Sequence, residues 1–280
     1  MVYIFLMIMC LSGSLWASDM ELKPIAETYR DDLEELSLHL SEKGVPEEWF
    51  SSNINRDSFT FYPQIESYFS NMAENRVNRG EIDLKDYKQH FGVDLKIRKG
   101  IRFIEEHQEI LTKVQQKNGI DYELIVAILG METNFGEQRQ RGNFYVFDTL
   151  VSQYLLLPRR QSFAVNELAA LYTFSQITQK EIDYFIGSFA GASGWGQFIP
   201  TSLVAYFVSA DGKDENIDIF SIEDTVFSIE NYLAAHRLNG DTINYPETRR
   251  KAVFAYNRSE AYVKAVLYMY EEFKKYSIQG

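Results

Sequence analysis

A glutamate stands near the end of an apolar run, Ile120-Asp-Tyr-Glu-Leu-Ile-Val-Ala-Ile-Leu-Gly-Met-Glu132-Thr-Asn-Phe-Gly136. Leu124, Ile125, Ile128, Leu129 and Met131 are residue types that fill cores. A carboxylate among them loses solvation, which disfavours its charged form and raises its pKa. A glutamate shifted towards neutrality can hold a proton and then donate it, as a general acid must. The run alone leaves a plainer reading open. Glu132 could end a helix and pair with Arg139 or Arg141, which lie close in sequence.

A second unusual stretch is Gly187-Ser-Phe-Ala-Gly-Ala-Ser-Gly-Trp-Gly-Gln-Phe-Ile-Pro200. Gly191, Gly194 and Gly196 read G-x-x-G-x-G, the wrong order for a dinucleotide cradle, and no clear strand precedes them. So much glycine cannot be helix; it suits a short hairpin or a tight loop that admits another chain close to the backbone. Ser188 and Gln197 on such a loop could hydrogen-bond a ligand's amide or hydroxyl groups, or serve the turn itself. Other chemistries find little support. His39, His90, His107 and His236 are scattered, with no H-E-x-x-H, no Cys-His cluster and no G-x-S-x-G. The oxygen-rich run 209–218 resembles a calcium loop. It begins on Ser209 rather than an acidic ligand and lacks the turn glycine of an EF-hand, so a solvated loop is the better reading.

These residues need helices to hold them. Residues 19–56 read as polar, acidic helices broken at Gly44-Val45-Pro46. Ile101, Phe103, Ile104, Ile110, Leu111 and Val114 recur at helical spacing, predicting one amphipathic helix of about 17 residues that stops near Asn118-Gly119. Asp121 is placed to cap the helix that carries Glu132, with Glu123 in its first turn and Gly136 at its end. Pro158-Arg159-Arg160 opens another, with Phe163, Leu168, Leu171, Phe174 and Ile177 on one stripe. Thr201 or Ser202 starts the next, and helices follow at about 222–237 and 259–275. Long alternating runs are missing, and the chain reads as mostly α without internal repeats.

The 280 residues carry a formal charge of −12, and 45% are apolar. That supports a sizeable core and excludes the basic footprint of a nucleic-acid binder. Val2 to Met9 is an unbroken apolar run, too short to span a bilayer, and Leu15-Trp16-Ala17 offers a cleavage site. Residues 1–17 are therefore expected to be a signal peptide, leaving a mature chain 18–280 that is periplasmic or secreted. Cys10, the only cysteine, follows Met9 rather than the small residue a lipoprotein signal needs, so an outer-membrane lipoprotein is not expected.

The blocks AILGMETNFG, PRRQSF, GSFAGASGWGQFIPTS, SIENYLAAH and AYNRSEAYVKAV occur in an order and spacing that resemble the lytic murein transglycosylases of the membrane-bound B type. The resemblance covers about residues 85–270 and, more weakly, 28–84. It implies a mostly α, lysozyme-like α+β fold, a helical core with a small β portion around a glycan-binding cleft. An N-terminal helical part would occupy about 18–84. The implied substrate is the peptidoglycan glycan strand. The implied reaction cleaves the β-1,4 bond between N-acetylmuramic acid and N-acetylglucosamine and leaves a 1,6-anhydromuramoyl end without consuming water. By resemblance Glu132 is the single acid/base. Ser188, Gln197, Phe198, Arg159, Arg160, Tyr232, Tyr256, Asn257 and Tyr87 are implied substrate-binding residues. No cofactor is expected; the family's calcium loop is altered here, which argues against calcium without excluding it. A monomer is expected, with peptidoglycan as partner and neither nucleic acid nor a transmembrane helix. A hydrolytic muramidase and a non-catalytic peptidoglycan-binding protein on the same fold are the alternatives.

Overall fold

The computed structural model describes residues 27–79 and 86–279. The expected signal peptide and Cys10 lie outside the described residues, as does part of the expected N-terminal helical portion. The chain folds as helices α1 (Arg30–Glu42), α2 (Glu47–Ile54), α3 (Gln64–Arg79), α4 (Tyr87–Phe91), α5 (Val93–Glu106), α6 (Gln108–Asn118) and α7 (Tyr122–Thr133). Strand β1 (Phe144–Tyr145) and helices α8 (Val146–Leu156) and α9 (Gln161–Thr178) follow, then strand β2 (Ile186–Gly187). Helices α10 (Pro200–Tyr206), α11 (Ile222–Ala235), α12 (Pro246–Tyr256) and α13 (Glu260–Gln279) complete it. The two short strands pair antiparallel, Phe144 opposite Gly187 and Tyr145 opposite Ile186. The architecture is the mostly α one expected, with a very small sheet. Among the described residues no helix is long and apolar enough to cross a membrane.

Helix α7 is the centre of the core. Leu124 to Leu129 are fully buried, packed by α13, α5, α6 and α11. Each large aliphatic side chain there contributes ~1.5–3 kcal/mol by leaving water. Leu124, Ile125, Val126, Ile128 and Leu129 together outweigh the roughly 3 kcal/mol that a carboxyl with pKa about 7 gives up in disfavoured ionisation at the same helix's end. The helix can therefore carry Glu132 inward without unfolding.

Several local expectations are corrected. The helix expected across residues 101–118 is two, because the chain turns at His107 (φ −118°, ψ 19°), where α5 ends and α6 begins. Asp121 precedes α7 but does not cap it: its Oδ2 accepts from Tyr270 Oη at 2.6 Å and Lys274 Nζ at 3.0 Å, while Gln115 Oε1 takes the Tyr122 amide. Two aligned donors, one of them cationic, hold the carboxylate away from the helix amides. Helix α7 ends before Gly136. Asn134 (φ 53°) and Phe135 (φ 69°) already take left-handed backbone, so the chain reverses directly after Thr133, one residue past Glu132. The Phe135 ring then folds onto Gly130, where a Cβ would lie 2.6 Å from it. Pro158–Arg160 is a 3₁₀ turn leading into α9, and Ile177 is 37% exposed rather than part of the buried stripe. Helix α12 has no counterpart in the sequence reading.

One arginine adds polar ties between the N-terminal segment and the rest. Arg56 pairs with Asp148 of α8 and, through Nε at 2.7 Å, with Asp183. Asp148 also accepts the Thr60 amide at 2.8 Å, and Asp183 accepts Ser58 Oγ at 2.6 Å.

Candidate active site

The glycine-rich block is a folded-back loop on β2. Ser188 N donates to Ala192 O at 2.8 Å, and Ser193 bridges Gly187 on one side and Phe198 on the other. Gly187 is obligatory, since a Cβ there would sit 1.8 Å from the Ala192 carbonyl oxygen. Two side chains tie this loop to the helices. Thr133, the neighbour of Glu132, donates from Oγ1 to the Trp195 carbonyl at 2.7 Å. Tyr256, at the end of α12, donates to the Gly196 carbonyl at 2.7 Å. The loop is thus held against the end of α7 from both sides.

Glu132 is 4% exposed. Tyr262 of α13 donates to its Oε1 at 2.7 Å. Burial pushes the carboxyl up to about 7; the Tyr262 hydrogen bond and the positive charge of Lys96 pull it back only in part. Burial first, and the Glu132 charge second, hold the Tyr256 and Tyr262 hydroxyls well above the usual phenol range, so both stay donors. Lys96 of α5 donates to the Gly130 carbonyl at 2.6 Å, and burial lowers its ammonium to about 8.

Other carboxylates are buried too, but they are spoken for. Glu167 is pushed up to about 7 by burial, and both its oxygens accept from Thr201, at 2.8 and 2.9 Å. Asp148 holds Arg56 and the Thr60 amide, and Glu230 holds Asn118 and Lys117. Glu132 combines burial, near-neutral pKa and a neutral phenol as hydrogen-bond donor.

Several of the residues singled out in the sequence gather here. Phe198, Tyr232 and Tyr256 form an edge-to-face aromatic group, with centroids 4.8–6.1 Å apart. Tyr232 Oη is committed to the Ala255 carbonyl at 2.8 Å. Gln197 takes left-handed backbone (φ 52°) and spends its amide nitrogen on the Gly194 and Arg141 carbonyls, while its Oε1 is buried and unpartnered. Asn257 Oδ1 is likewise buried without a partner. Two buried acceptors without donors are costly unless a ligand or water supplies them.

Ser188 Oγ lies 3.3 Å from the Ala192 amide at the neck of the loop. Arg159 is exposed, whereas Arg160 is buried. Its Nε donates to Gln153 Oε1 at 2.7 Å, and Gln153 in turn holds the Phe189 carbonyl at 2.8 Å, so Arg160 braces the loop from behind, its guanidinium over Phe69 and Phe163. Tyr87 is buried and packs edge-on against Tyr268 of α13 at 6.3 Å, under the Lys264 ammonium of the same helix. Tyr262, Lys96 and Thr133 escaped the sequence reading. Tyr262 lies within the AYNRSEAYVKAV block, but one tyrosine among 18 carries no mark of its partner.

In the 209–218 loop the oxygens serve the loop. Asp211 accepts from Ser209 Oγ (2.6 Å), Lys213 N (2.9 Å) and Asn216 Nδ2 (2.7 Å). Asp218 accepts from Tyr184 Oη (2.5 Å) and Phe220 N (2.8 Å). Among the described residues no group of three or more His, Cys, Asp or Glu side chains is gathered for a metal.

The model of the transglycosylase SLT domain matches residues 28–248. Membrane-bound lytic murein transglycosylase B of Escherichia coli K12 is 32% identical over 158 residues, covering 56% of this chain; the chain spans only 43% of that relative's length. Soluble lytic transglycosylase SltB1 of Pseudomonas aeruginosa superposes with a TM-score of 0.75 at 23% identity, over 87% of this chain and 99% of that one. SltB3 of the same organism, solved in complex with NAG-anhNAM-pentapeptide, gives a TM-score of 0.70 at 23% identity, over 89% of this chain and 79% of that one. The fold is the lysozyme-like one of these proteins, and on the match across residues 28–248 the chain belongs to the transglycosylase SLT domain family.

Proposed function

We propose that this chain is a lytic transglycosylase that cleaves the β-1,4 bond between N-acetylmuramic acid and N-acetylglucosamine in peptidoglycan, with Glu132 as its single acid/base. The observation that carries this is the state of Glu132: a buried carboxyl with pKa about 7, held by a neutral phenol. The unpartnered acceptors of Gln197 and Asn257, next in sequence to Phe198 and Tyr256, add to it. The kinship with enzymes of this activity supports it.

Protonated Glu132 gives its proton to the glycosidic oxygen as the bond from C1 breaks. The muramic acid's N-acetyl oxygen stabilises the positive charge at C1, as in substrate-assisted glycosidases. Ionised Glu132 then takes the proton of the same sugar's O6 hydroxyl, and O6 closes on C1. The ring's own hydroxyl outcompetes water because it is already in place. A retaining hydrolase would use a second carboxylate about 5–5.5 Å from the first. Of the other buried carboxylates, Asp148, Glu167 and Glu230 are instead committed to Arg56, Thr201 and Asn118, Asp121 to Tyr270 and Lys274, and Asp224 to the Ala210 and Asp218 amides, while Glu123 lies at the opposite end of α7. Gln197 and Asn257 bind the glycan's N–H and O–H groups, Ser188 orients the N-acetyl group, and the Phe198–Tyr232–Tyr256 group supports the cleft floor. Arg159 and Tyr87 are assigned to outer substrate contacts.

The enzyme acts as a monomer, without calcium, after removal of residues 1–17 delivers it to the periplasm or medium. Mass spectrometry of digested sacculi tests the reaction. Products ending in 1,6-anhydromuramic acid, one water lighter than hydrolysis products, are expected. Reducing muramic acid ends would make it a hydrolytic muramidase, and no products at all a binding protein. N-terminal sequencing of the exported chain should begin near Ser18; an intact Met1 on exported protein would refute cleavage.

A further inference from the structure

We propose that Lys96 is a positioning residue of the Glu132 site: its ammonium, anchored on the Gly130 carbonyl, supplies the positive charge against which Glu132 ionises when it gives up its proton. The inference rests on Glu132 being the acid/base.

Glu132 is the next-to-last residue of α7, at the negative end of the helix macrodipole. Burial and the helix end act in the same direction, against the carboxylate. The reaction nevertheless needs that carboxylate, formed once the proton has left. Lys96 comes from a different helix, α5, and places its Nζ 2.6 Å from the Gly130 oxygen, a carbonyl in the last turn of α7. The anchor pins a flexible side chain at the end of the helix where charge develops. The Lys96 and Glu132 charges interact, each favouring the other's ionised form.

The surrounding ionisable groups do not duplicate it. Tyr262 and Tyr256 face Glu132, and Tyr232 lies behind them; all three phenols remain neutral. Lys99 and Glu137 face Lys96 but pair with each other, so their charges largely cancel at the site. Lys96 is the cation left to balance Glu132. A lysine that only capped α7 would need no particular charge, because a neutral amide donor can satisfy the same carbonyl. That difference makes the proposal testable.

Three variants separate charge from anchor. Lys96→Arg keeps both, Lys96→Gln keeps a donor without the charge, and Lys96→Met removes both. The readout is the titration of the Glu132 carboxyl, followed by NMR of protein labelled with ¹³C-glutamate and assigned by its absence in Glu132→Gln. Lys96→Gln and Lys96→Met should raise the Glu132 titration by about one unit, the effect of losing a nearby opposite charge. Lys96→Arg should stay within a few tenths of wild type. The alkaline limb of kcat/KM on peptidoglycan should move with the carboxyl, and kcat should fall about tenfold in the uncharged variants. A Glu132 titration unchanged in Lys96→Gln, with only a lower melting temperature, would overturn the proposal and leave Lys96 as a helix cap. The titration needs no substrate. Should the wild type release no muropeptides, the assigned reaction fails, while the same spectra still decide whether Lys96 and Glu132 are coupled.

Discussion

Tyr262 and Glu132 stand 130 residues apart in sequence, and the hydroxyl of the first donates to the carboxyl of the second at 2.7 Å inside the core. The bond joins α13 to the end of α7, the two elements most extensively packed against each other. It stabilises the carboxylate relative to the acid, and so works against the burial that raises the pKa. Replacing Tyr262 by Phe should therefore raise the Glu132 pKa further above about 7 and slow turnover by roughly 10- to 100-fold, the worth of a hydrogen bond to a charged group. A pH–rate profile compared with wild type would show it; an unmoved alkaline limb would sink the assignment.

The wild-type profile follows from the same carboxyl. The acid must be protonated at the outset, and its pKa is about 7. Initial rates on purified sacculi should fall as pH rises through 7, by about tenfold per unit well above it. A rate still rising at pH 9 would mean that another group supplies the proton.

Glu132→Gln should fold and lose nearly all turnover, because an amide cannot donate the proton. It should also be more stable than wild type at pH 8. The folded-state pKa lies above the ordinary value of 4.5. The stabilisation by the protonated form is therefore complete below about pH 4.5 and lost as pH climbs to about 7. The variant's advantage, on the order of 2–4 kcal/mol, should appear over that interval and level off above it. Denaturant melts at pH 5 and pH 8 give the comparison, and equal stabilities at pH 8 would show that the carboxyl is not disfavoured in the fold.

The 209–218 loop should behave as a closed hydrogen-bonded turn. Asp211 and Asp218 already have donors at 2.5–2.9 Å. Melting temperatures with millimolar calcium and with chelator should agree within about a degree. A rise of many degrees with calcium would reveal a tight site on the native state.

Ser188→Ala should slow turnover while leaving the Glu132 titration in place, since a loosely held N-acetyl oxygen stabilises C1 less well. De-N-acetylated glycan should be a poor substrate for the wild type by the same argument. Equal rates on both glycans would remove the N-acetyl group from the mechanism.

The sequence by itself determined the helical character of the chain, the loop nature of residues 187–196, and the apolar setting of Glu132. These follow from local properties: spacing of apolar residues, the backbone freedom of glycine, and the side chains adjacent to one carboxyl. Loop chemistry also marked Gln197, and the family resemblance implied Phe198, Tyr232, Tyr256 and Asn257; the fold draws Phe198, Tyr232 and Tyr256 into one neighbourhood. Only the tertiary structure decided what touches Glu132. Tyr262 arrives from α13 and Lys96 from α5, and nothing local distinguishes them from the other tyrosines and lysines of amphipathic helices. The same holds for Asp121, whose capping role was set aside once Tyr270 and Lys274 came within reach. Arg160 turned inward to brace Gln153 while Arg159, its neighbour, stayed in solvent. Periodicity assigns a residue to a helix and a face, but the partner of a buried polar group is chosen by whichever donors long-range packing delivers, and that choice is made in three dimensions.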